Sequence, residues 1–405
     1  MNKAESERLG SCLEQLGYQA TDTAEAADII VLNSCVVRQS AENRVINKLK
    51  SLEARRRAHQ STTLAVTGCL VNSKVDQLKK GFPYVDYFFK PGDYPPWLEK
   101  PEAAPVIPQH PSPSTFVPII QGCNNFCSYC IVPYRRGREV SRNASEIVCE
   151  VKELVHRGVR EVTLLGQNVD SYGHDLPDKP GLADLLSELN TVDELARIRF
   201  LTNHPKDMSL KLIEAIAYLD KVCEQINLPV QSGSNDILKA MRRGYTVEQY
   251  RQLVNTIRSK IPRVALSTDI IVGFPSETEP QFQQTVSLLS ELKFDTVHVA
   301  AYSPRPGTTA AREFEDNIPP TEKKERLNTI EQLQERIARE VNAQLLGKAV
   351  EILVEGKVKG KWQGRTRTGK LVFFNDNKDC LGQLINIRID KTSPWSLQGE
   401  VIKLK

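Results

Sequence analysis

Short apolar runs alternate along most of this chain with longer stretches whose apolar positions fall three and four residues apart. In the first hundred residues, DIIVLN (28–33) and LAVT (64–67) have the length and continuous apolarity of strands buried on both faces, while 4–16 and 41–58 carry helical spacing. Helices alternating with such runs predict a parallel α/β sheet of the Rossmann or flavodoxin type. The same grammar then repeats. Apolar runs at 116–120, 162–165, 198–201, 225–228, 265–272 and 296–301 are separated by helix-like stretches around 144–156, 182–189, 209–218, 247–259 and 280–292. Such β/α units predict an incomplete (β/α)6 barrel, α/β in class, with its site at the C-terminal ends of the strands. A doubly wound open sheet is the alternative that pattern alone leaves open.

A polar helical stretch at 321–346 carries one apolar stripe, Leu327, Ile330, Leu333, Ile337 and Val341. After it come the strand-like runs EILVEG, TGKLVFF, QLINIRI and GEVIKL, separated by Gly, Asn and Asp, which predict a small antiparallel β-barrel. Prolines at 101, 105, 108, 111, 113 and 118 remove donors and fix φ, so the stretch around them reads as a linker. The organisation expected is a domain over 1–100, a linker over 101–113, the partial barrel over 114–343 and the small barrel over 344–405. No apolar run approaches the ~18 residues of a spanning helix, and the opening MNKAESERLG is charged where a signal peptide is apolar. A cytoplasmic protein without membrane attachment is expected.

Charge changes this picture at one end only. From Ala349 onward there are 11 Lys and Arg against 6 Asp and Glu, an excess of 5 in a chain whose net charge is +4, so the remainder stands at −1. Lys357, Lys359, Lys361, Arg365, Arg367 and Lys370 fall within fourteen residues, with Trp362 among them and Phe373 and Phe374 just after. Cations that can follow a phosphate backbone, beside rings that can stack on bases, are the composition of looped or single-stranded RNA recognition. The alternative is a merely solvated face.

The nine cysteines are odd in number and scattered through a large chain, which argues against a disulfide framework and for metal binding or catalysis. Cys123, Cys127 and Cys130 form a C-x3-C-x2-C run directly after the first strand of the partial barrel. Three thiolates so close on one loop can hold three irons of a 4Fe-4S cluster and leave the fourth open to a ligand. A structural zinc site wants four closed protein ligands, and the nearest further candidate, His156, falls in a helical pattern 26 positions on. Arg135, Arg136, Arg138 and Arg142 crowd the segment behind the triplet, where one or two are expected to meet substrate phosphates. Cys12, Cys149, Cys223 and Cys380 read as packing residues.

The triplet in its strand-to-loop context resembles the signature of the radical S-adenosylmethionine (SAM) superfamily. CSYCIVPYRRGREVSR (127–142), LLGQNVDSYG (164–173), LPVQSGSNDILKAMRRGYT (228–246), TDIIVGFPSET (268–278) and AYSPRPGT (301–308) further resemble the methylthiotransferase family, and QGRTRTGKLVFF (363–374) resembles its TRAM RNA-binding module. MNKAESERL, CIVPYRRGREVSR and GRTRTGKLVFF are most similar to the MiaB-type, tRNA-modifying branch. The resemblance implies that the amino and carboxylate groups of SAM chelate the open iron and that one electron cleaves SAM to a 5′-deoxyadenosyl radical. It implies methylthiolation at C2 of N6-dimethylallyladenosine 37 in a tRNA anticodon stem-loop, by a monomer served by an electron donor and a sulfur donor. Gly166, Gln167 and Asn168 follow a strand end where SAM would lie, and the resemblance implies that this loop meets the SAM amino group. Ser232 and Gly273 follow later strands on the same rim, where glycines are otherwise commonly turns.

The resemblance also implies a second 4Fe-4S cluster in the N-terminal domain. Cys35 and Cys69 suit it, since each directly follows a strand-like run and parallel strands put both on one sheet edge. The family's third ligand lies in a Gly-Cys-x-Met-Asn motif that would fall just before Met1-Asn2. A start lacking the first strand is therefore expected, with one stable cluster, SAM cleavage and failed methylthiolation as its consequence; Cys12, about two helical turns on, is the substitute ligand to be weighed. Rival readings are methylthiolation of threonylcarbamoyladenosine in tRNA, methylthiolation of a ribosomal protein aspartate, and an RNA-binding iron-sulfur protein inactive in sulfur insertion.

Overall fold

The structure is a computed structural model that describes residues 1–35, 39–58, 61–71, 75–95, 97–98 and 106–402. Among these, helix α1 (Asn2–Gln15) precedes strand β1 (Ile29–Ser34), followed by α2 (Gln39–Ala58), β2 (Thr63–Gly68), α3 (Val75–Gly81) and β3 (Tyr87–Phe88). The strands lie in the order β1-β2-β3, all parallel. β2 is buried on both faces: Leu64 and Val66 pack with Leu49 and Val85, Ala65 with Leu9, Cys12 and Phe89. Parallel strands covered on both sides are why this run lacks polar alternation. Gly68 ends β2 at φ +88°, and a Cβ there would stand 2.3 Å from Ser34 O, so only glycine lets the two strand ends close up.

The central body comprises β4 (Ser114–Pro118), β5 (Ile120–Gln121), α4 (Val132–Arg136), β6 (Val140–Ser141), α5 (Ala144–His156), β7 (Glu161–Leu165), α6 (Leu182–Asn190), β8 (Arg197–Phe200), α7 (Leu210–Tyr218), β9 (Gln225–Asn227), α8 (Asn235–Ala240), α9 (Val247–Lys260), β10 (Ala265–Val272), α10 (Glu279–Leu292), β11 (Thr296–Ala301), α11 (Thr309–Glu313) and α12 (Pro320–Ala343). β4-β7-β8 and β9-β10-β11 are parallel sheets, joined by a parallel bridge from Ile198 of β8 to Val222 just before β9. The result is a partial barrel in sequential order, with the helices outside and one continuous apolar core. The apolar run at 116–120 divides because Ile119 N donates to Leu165 O while Ile120 turns away to pair with Ser141. Residues 101–105 of the proline-rich stretch lie outside the described residues; Ile107 is buried in the central core, and Arg157 donates to the carbonyls of Ile107 and Pro108, so this part is seated and not free.

β12 (Ala349–Val358), β13 (Lys361–Thr366), β14 (Leu371–Phe374), β15 (Leu384–Thr392) and β16 (Leu397–Val401) close a small barrel in the order β12-β13-β14-β16-β15. All its ladders are antiparallel except β14–β16, which is parallel. This barrel plugs the end of the central one where the strands begin. Arg197 and Arg199, at the start of β8, donate into it: Arg197 to Arg365 O at 2.7 Å and Glu351 Oε1 at 2.8 Å, Arg199 to Thr366 O at 2.6 Å and Arg367 O at 2.7 Å. No helix of the described residues is long and apolar enough to cross a membrane.

Candidate active site at the mouth of the barrel

Pairing of Ile120 with Ser141 and of Gln121 with Val140 closes residues 122–139 into a loop at the C-terminal end of β4, and this loop carries Cys123, Cys127 and Cys130. It turns at Gly122, φ +83°, where a Cβ would stand 2.0 Å from Arg138 O. Gly122 N donates to Gln167 Oε1 at 2.6 Å, Cys123 N to Gly137 O at 3.2 Å, and Cys130 N to Cys127 O at 3.0 Å. Ser128 anchors the middle: its N donates to Met241 O at 3.0 Å, its hydroxyl to Ala240 O at 2.8 Å, and its carbonyl accepts from Ala310 N at 2.7 Å. Arg243, itself buried, donates to Cys127 Sγ at 3.3 Å.

The three thiols are electrostatic neighbours. Burial first, and then the neighbouring acids and thiols, push Cys123 up to about 11 and Cys130 up to about 12. Metal uptake must therefore expel protons. Among the described residues no three His, Cys, Asp or Glu side chains are gathered closely enough to close on a single ion. The donor set of the loop, three thiols on one short segment, fits the three protein ligands of a differentiated 4Fe-4S cluster, whereas a structural zinc site wants a fourth.

The neighbouring strand ends supply polar groups with spare capacity. After β7, Asn168 is buried and donates from Nδ2 to Asp207 Oδ2 at 2.7 Å, which also receives Asn125 Nδ2 at 3.3 Å. After β8, Asn203 Nδ2 and His204 N both donate to Asp170. Burial pushes Asp170 up to about 7. Burial, then the cations of Arg243 and Lys206, push His204 down to about 2, so its ring is neutral. Asn168 Oδ1, Asn203 Oδ1 and His204 Nε2 are buried without a partner. Native proteins rarely leave such atoms unpaired, and three of them around one mouth mark where a ligand's polar groups enter. Thr202 and Gln231, beyond β8 and β9, both sit at φ +76°, a strained region that concentrates at functional sites.

Of the rim residues singled out from the sequence, Gln167 and Asn168 reach this mouth. Gly166 serves packing, since a Cβ would stand 2.4 Å from Ile120 Cγ2. Ser232 corrects the expectation of a rim contact: it is fully buried and its hydroxyl pairs with Thr285 of α10 at 3.4 Å. Gly273 lies against α12, where a Cβ would stand 2.4 Å from Lys323 Cγ, and its N donates to Glu277 Oε2 at 2.6 Å. Asp170, Asn203, His204, Asp207 and Arg243 went unassigned in the sequence, although the polar TNH that closes an apolar strand run was a readable sign.

Comparison with known proteins now adds to the geometry. Family models match over 117–289 (Radical SAM superfamily), 1–90 (Uncharacterized protein family UPF0004) and 343–402 (TRAM domain). A protein of Dehalococcoides mccartyi (strain CBDB1), named tRNA-2-methylthio-N(6)-dimethylallyladenosine synthase, is 55% identical over 404 residues, covering 100% of this chain and 96% of its own. One of the same name from Chloroflexus aurantiacus is 49% identical over 417 residues, covering 98% and 89%. The chain belongs to this radical SAM methylthiotransferase family. In fold, a radical SAM methyltransferase from Kitasatospora setae, TsrM, solved with cobalamin and a [4Fe-4S] cluster, is similar at a TM-score of 0.53 and 13% identity, covering 76% of this chain and 70% of its own.

In this methylthiotransferase the two remaining cysteines of interest stand at the edge of the N-terminal sheet that faces α4. Cys35 is exposed and Cys69 buried, directly after the paired residues Ser34 and Gly68. α4 bridges this pair to the cluster loop: it begins two residues after Cys130 and ends on Arg136, whose guanidinium bonds Glu5 at 2.6 Å and Asn2 at 2.7 Å and is an electrostatic neighbour of Cys69. A five-residue helix is about 8 Å long, so the two cysteine groups lie towards opposite ends of one short element. Cys12 does not join them; it packs with Ala65, Phe89 and Tyr94. Cys12, Cys223 and Cys380 are buried as packing residues, whereas Cys149 is exposed, on the solvent side of α5.

The expected RNA contacts need correction, because most of these cations already hold partners within the chain. Arg136 is buried in its ion pair with Glu5. Arg142 holds Glu150 and Pro118 O. Arg367 pairs with Glu224 at 3.0 Å and Lys370 with Asp295 at 2.7 Å, so both dock the small barrel instead of facing solvent. Arg365 is half exposed beside Glu355. Arg135 is half buried near Glu42, Arg305 and Cys69. Local sequence cannot tell a cation that meets phosphate from one that meets a distant carboxylate. On the small barrel Lys357, Lys359 and Lys361 form an exposed group on the β12–β13 hairpin, with Lys357 5.0 Å from the Trp362 ring centroid, while Lys378, Arg388 and Lys391 are exposed elsewhere on it.

Proposed function

We propose that this protein inserts a methylthio group at C2 of N6-dimethylallyladenosine at position 37 of tRNA, in the cytoplasm and as a monomer. The full-length likeness to synthases of that name, 55% identical over the whole chain, carries the reading. Cys123, Cys127 and Cys130 hold a 4Fe-4S cluster at the barrel mouth, and Cys35 and Cys69 contribute to a second one beside α4. When bound, the first cluster with SAM supplies one-electron radical chemistry, drawing on an external reductant; a sulfur donor serves the second. The chain's own part is to orient and exclude. Gln167 and Ser128 fix the loop. Asn168 Oδ1 and Asn203 Oδ1 offer acceptors to the amino and hydroxyl groups of bound molecules, and the neutral His204, whose Nδ1 accepts from Lys206 N at 3.2 Å, offers its Nε2–H as a donor.

The anticodon loop enters from the rim, where Tyr134 is exposed and Phe126 lies between it and Arg138, whose guanidinium is 4.4 Å from the Phe126 centroid. Aromatic rings beside Arg suit unstacked bases and the backbone linking them. Lys357, Lys359 and Lys361, at the far barrel, meet phosphates of the stem. Mass spectrometry of nucleosides from tRNA incubated with reconstituted protein, SAM, sulfide and dithionite tests the reading. The 2-methylthio derivative of N6-dimethylallyladenosine is expected; modification of threonylcarbamoyladenosine or of a ribosomal protein instead would overturn it.

A further inference from the structure

Arg243 is a buried cation that the function above does not use. It is 4% exposed, and among the described residues it forms no ion pair with a carboxylate. The groups acting on its charge are Tyr129, Tyr245 and Cys127. Every arm of its fork is aimed: Nε donates to Tyr245 Oη at 2.9 Å, Nη2 to Pro229 O at 2.7 Å, and Nη1 to Cys127 Sγ at 3.3 Å. Tyr245 is held in turn by the carbonyls of Pro229 and Val230. A guanidinium removed from water is among the costliest groups to bury and is normally matched by an anion. A neutral thiol is a weak acceptor and no counter-charge, whereas a thiolate is both a counter-charge and a strong acceptor. The anion this pocket lacks is the one that iron binding creates.

We propose that Arg243 is a positioning residue for the radical SAM centre: acting through Cys127, it supplies the counter-charge and an N–H···S hydrogen bond that raise the cluster's reduction potential. The inference rests on the reading that Cys123, Cys127 and Cys130 hold that cluster. Three thiolates make the bound unit anionic, and reduction adds one more negative charge without breaking the bond at Cys127. A fixed cation beside one ligand sulfur therefore stabilises the reduced form more than the oxidised form. Net charge and hydrogen bonds to sulfur are two of the levers that set such potentials.

The test is an EPR-monitored redox titration with dithionite, which gives one electron per cluster reduced and is itself oxidised to sulfite. It uses the reconstituted full chain in which Cys35→Ala and Cys69→Ala leave a single cluster. Arg243→Gln, which removes the charge, should lower the reduced fraction at fixed potential about tenfold, a shift of about 59 mV for one electron. Arg243→Lys, which keeps the charge and loses the fork, should fall between. Tyr245→Phe, which only loosens the aim of Nε, should shift the same way by less, and it keeps the test open if Arg243→Gln fails to fold or load iron. Iron content and circular dichroism identify the variants that load. Unchanged potentials in the loaded variants would overturn the proposal even if SAM cleavage dropped. Failure of the parent protein to show a SAM-responsive cluster signal would instead overturn the reading on which it rests.

Discussion

The two ends of the central barrel are built from the same strands and treat polar atoms in opposite ways. At the end where strands begin, Glu161, Arg197, Arg199, Glu224 and Asp295 meet Arg365, Thr366, Arg367, Lys370 and Glu351 of the small barrel. Charge there faces charge or carbonyl across the seam, and the buried atoms that make no hydrogen bond, Arg197 Nε, Arg199 Nε and Glu161 Oε2, still belong to ion-paired groups, Arg199 Nε lying 2.9 Å from Glu161 Oε2. At the end where strands finish, Asn168, Asn203 and His204 each keep a buried atom without a partner, and Arg243 keeps a charge without a carboxylate. Charges paired across a seam hold two bodies together; a charge without a counter-charge, beside neutral groups with free atoms, waits for something to bind. The contrast separates stability from chemistry within one set of strands.

The strongest way to break the comparison is at the mouth. Cys127→Ala should abolish both the anaerobic cluster absorbance and formation of 5′-deoxyadenosine while leaving the circular dichroism spectrum native; retained SAM cleavage would refute the assignment of the loop. At the closed end the reverse pattern is expected. Arg197→Ala leaves the carbonyls of Arg365 and Glu351 without their donor and Glu351 without its ion-pair partner, so it should cost about 3 kcal/mol in denaturant unfolding and spare SAM cleavage by protein kept folded.

Smaller effects sharpen the contrast. Replacing Lys357, Lys359 and Lys361 together by Ala should reduce the slope of log tRNA affinity against log salt by about 0.7 to 0.9 for each phosphate that is no longer neutralised. SAM cleavage without RNA should not change. Arg367→Ala at the docking face should leave the slope alone and lower stability instead, which separates the two roles that basic residues play in one segment. The smallest expected effect is a pH dependence at Asp170. Its folded value, about 7, lies above its ordinary carboxylate value, so the protonated form is favoured on folding. That contribution is fully present below about pH 4 and is lost as pH rises towards 7. The difference in thermal midpoint between the parent protein and Asp170→Asn should therefore change across pH 4 to 7 and level off above it.

Where the chain obeys local physics, its sequence is a good guide. The continuous apolar runs ALSTDIIV and TVHVAA are β10 and β11, and ASEIVCEVKELVH is α5, because burial on a regular face leaves a periodic trace. The cysteine loop was legible because its chemistry lies in one short segment. What could not be read depends on pairing across long separations: Arg367 with Glu224, 143 residues apart, and Arg243 with Cys127, 116 apart. Ser232 misled for a related reason. A serine after a strand can face the mouth or the surrounding helix, and only the position of Thr285 decides.

The plug at the closed end also sets an order of events during synthesis. Arg197 and Arg199 are made some 170 residues before the carbonyls of Arg365, Thr366 and Arg367 that receive them. Until the small barrel emerges from the ribosome, the central barrel holds two inward guanidinium groups that lack the acceptors it supplies, with Glu161 and Gln225 as the partners already made. Domains made at about 5 to 20 residues per second leave such an interval open for many seconds. The nascent barrel should pass that time hydrated and loose at its lower end, and it should close only when the small barrel arrives to cover it.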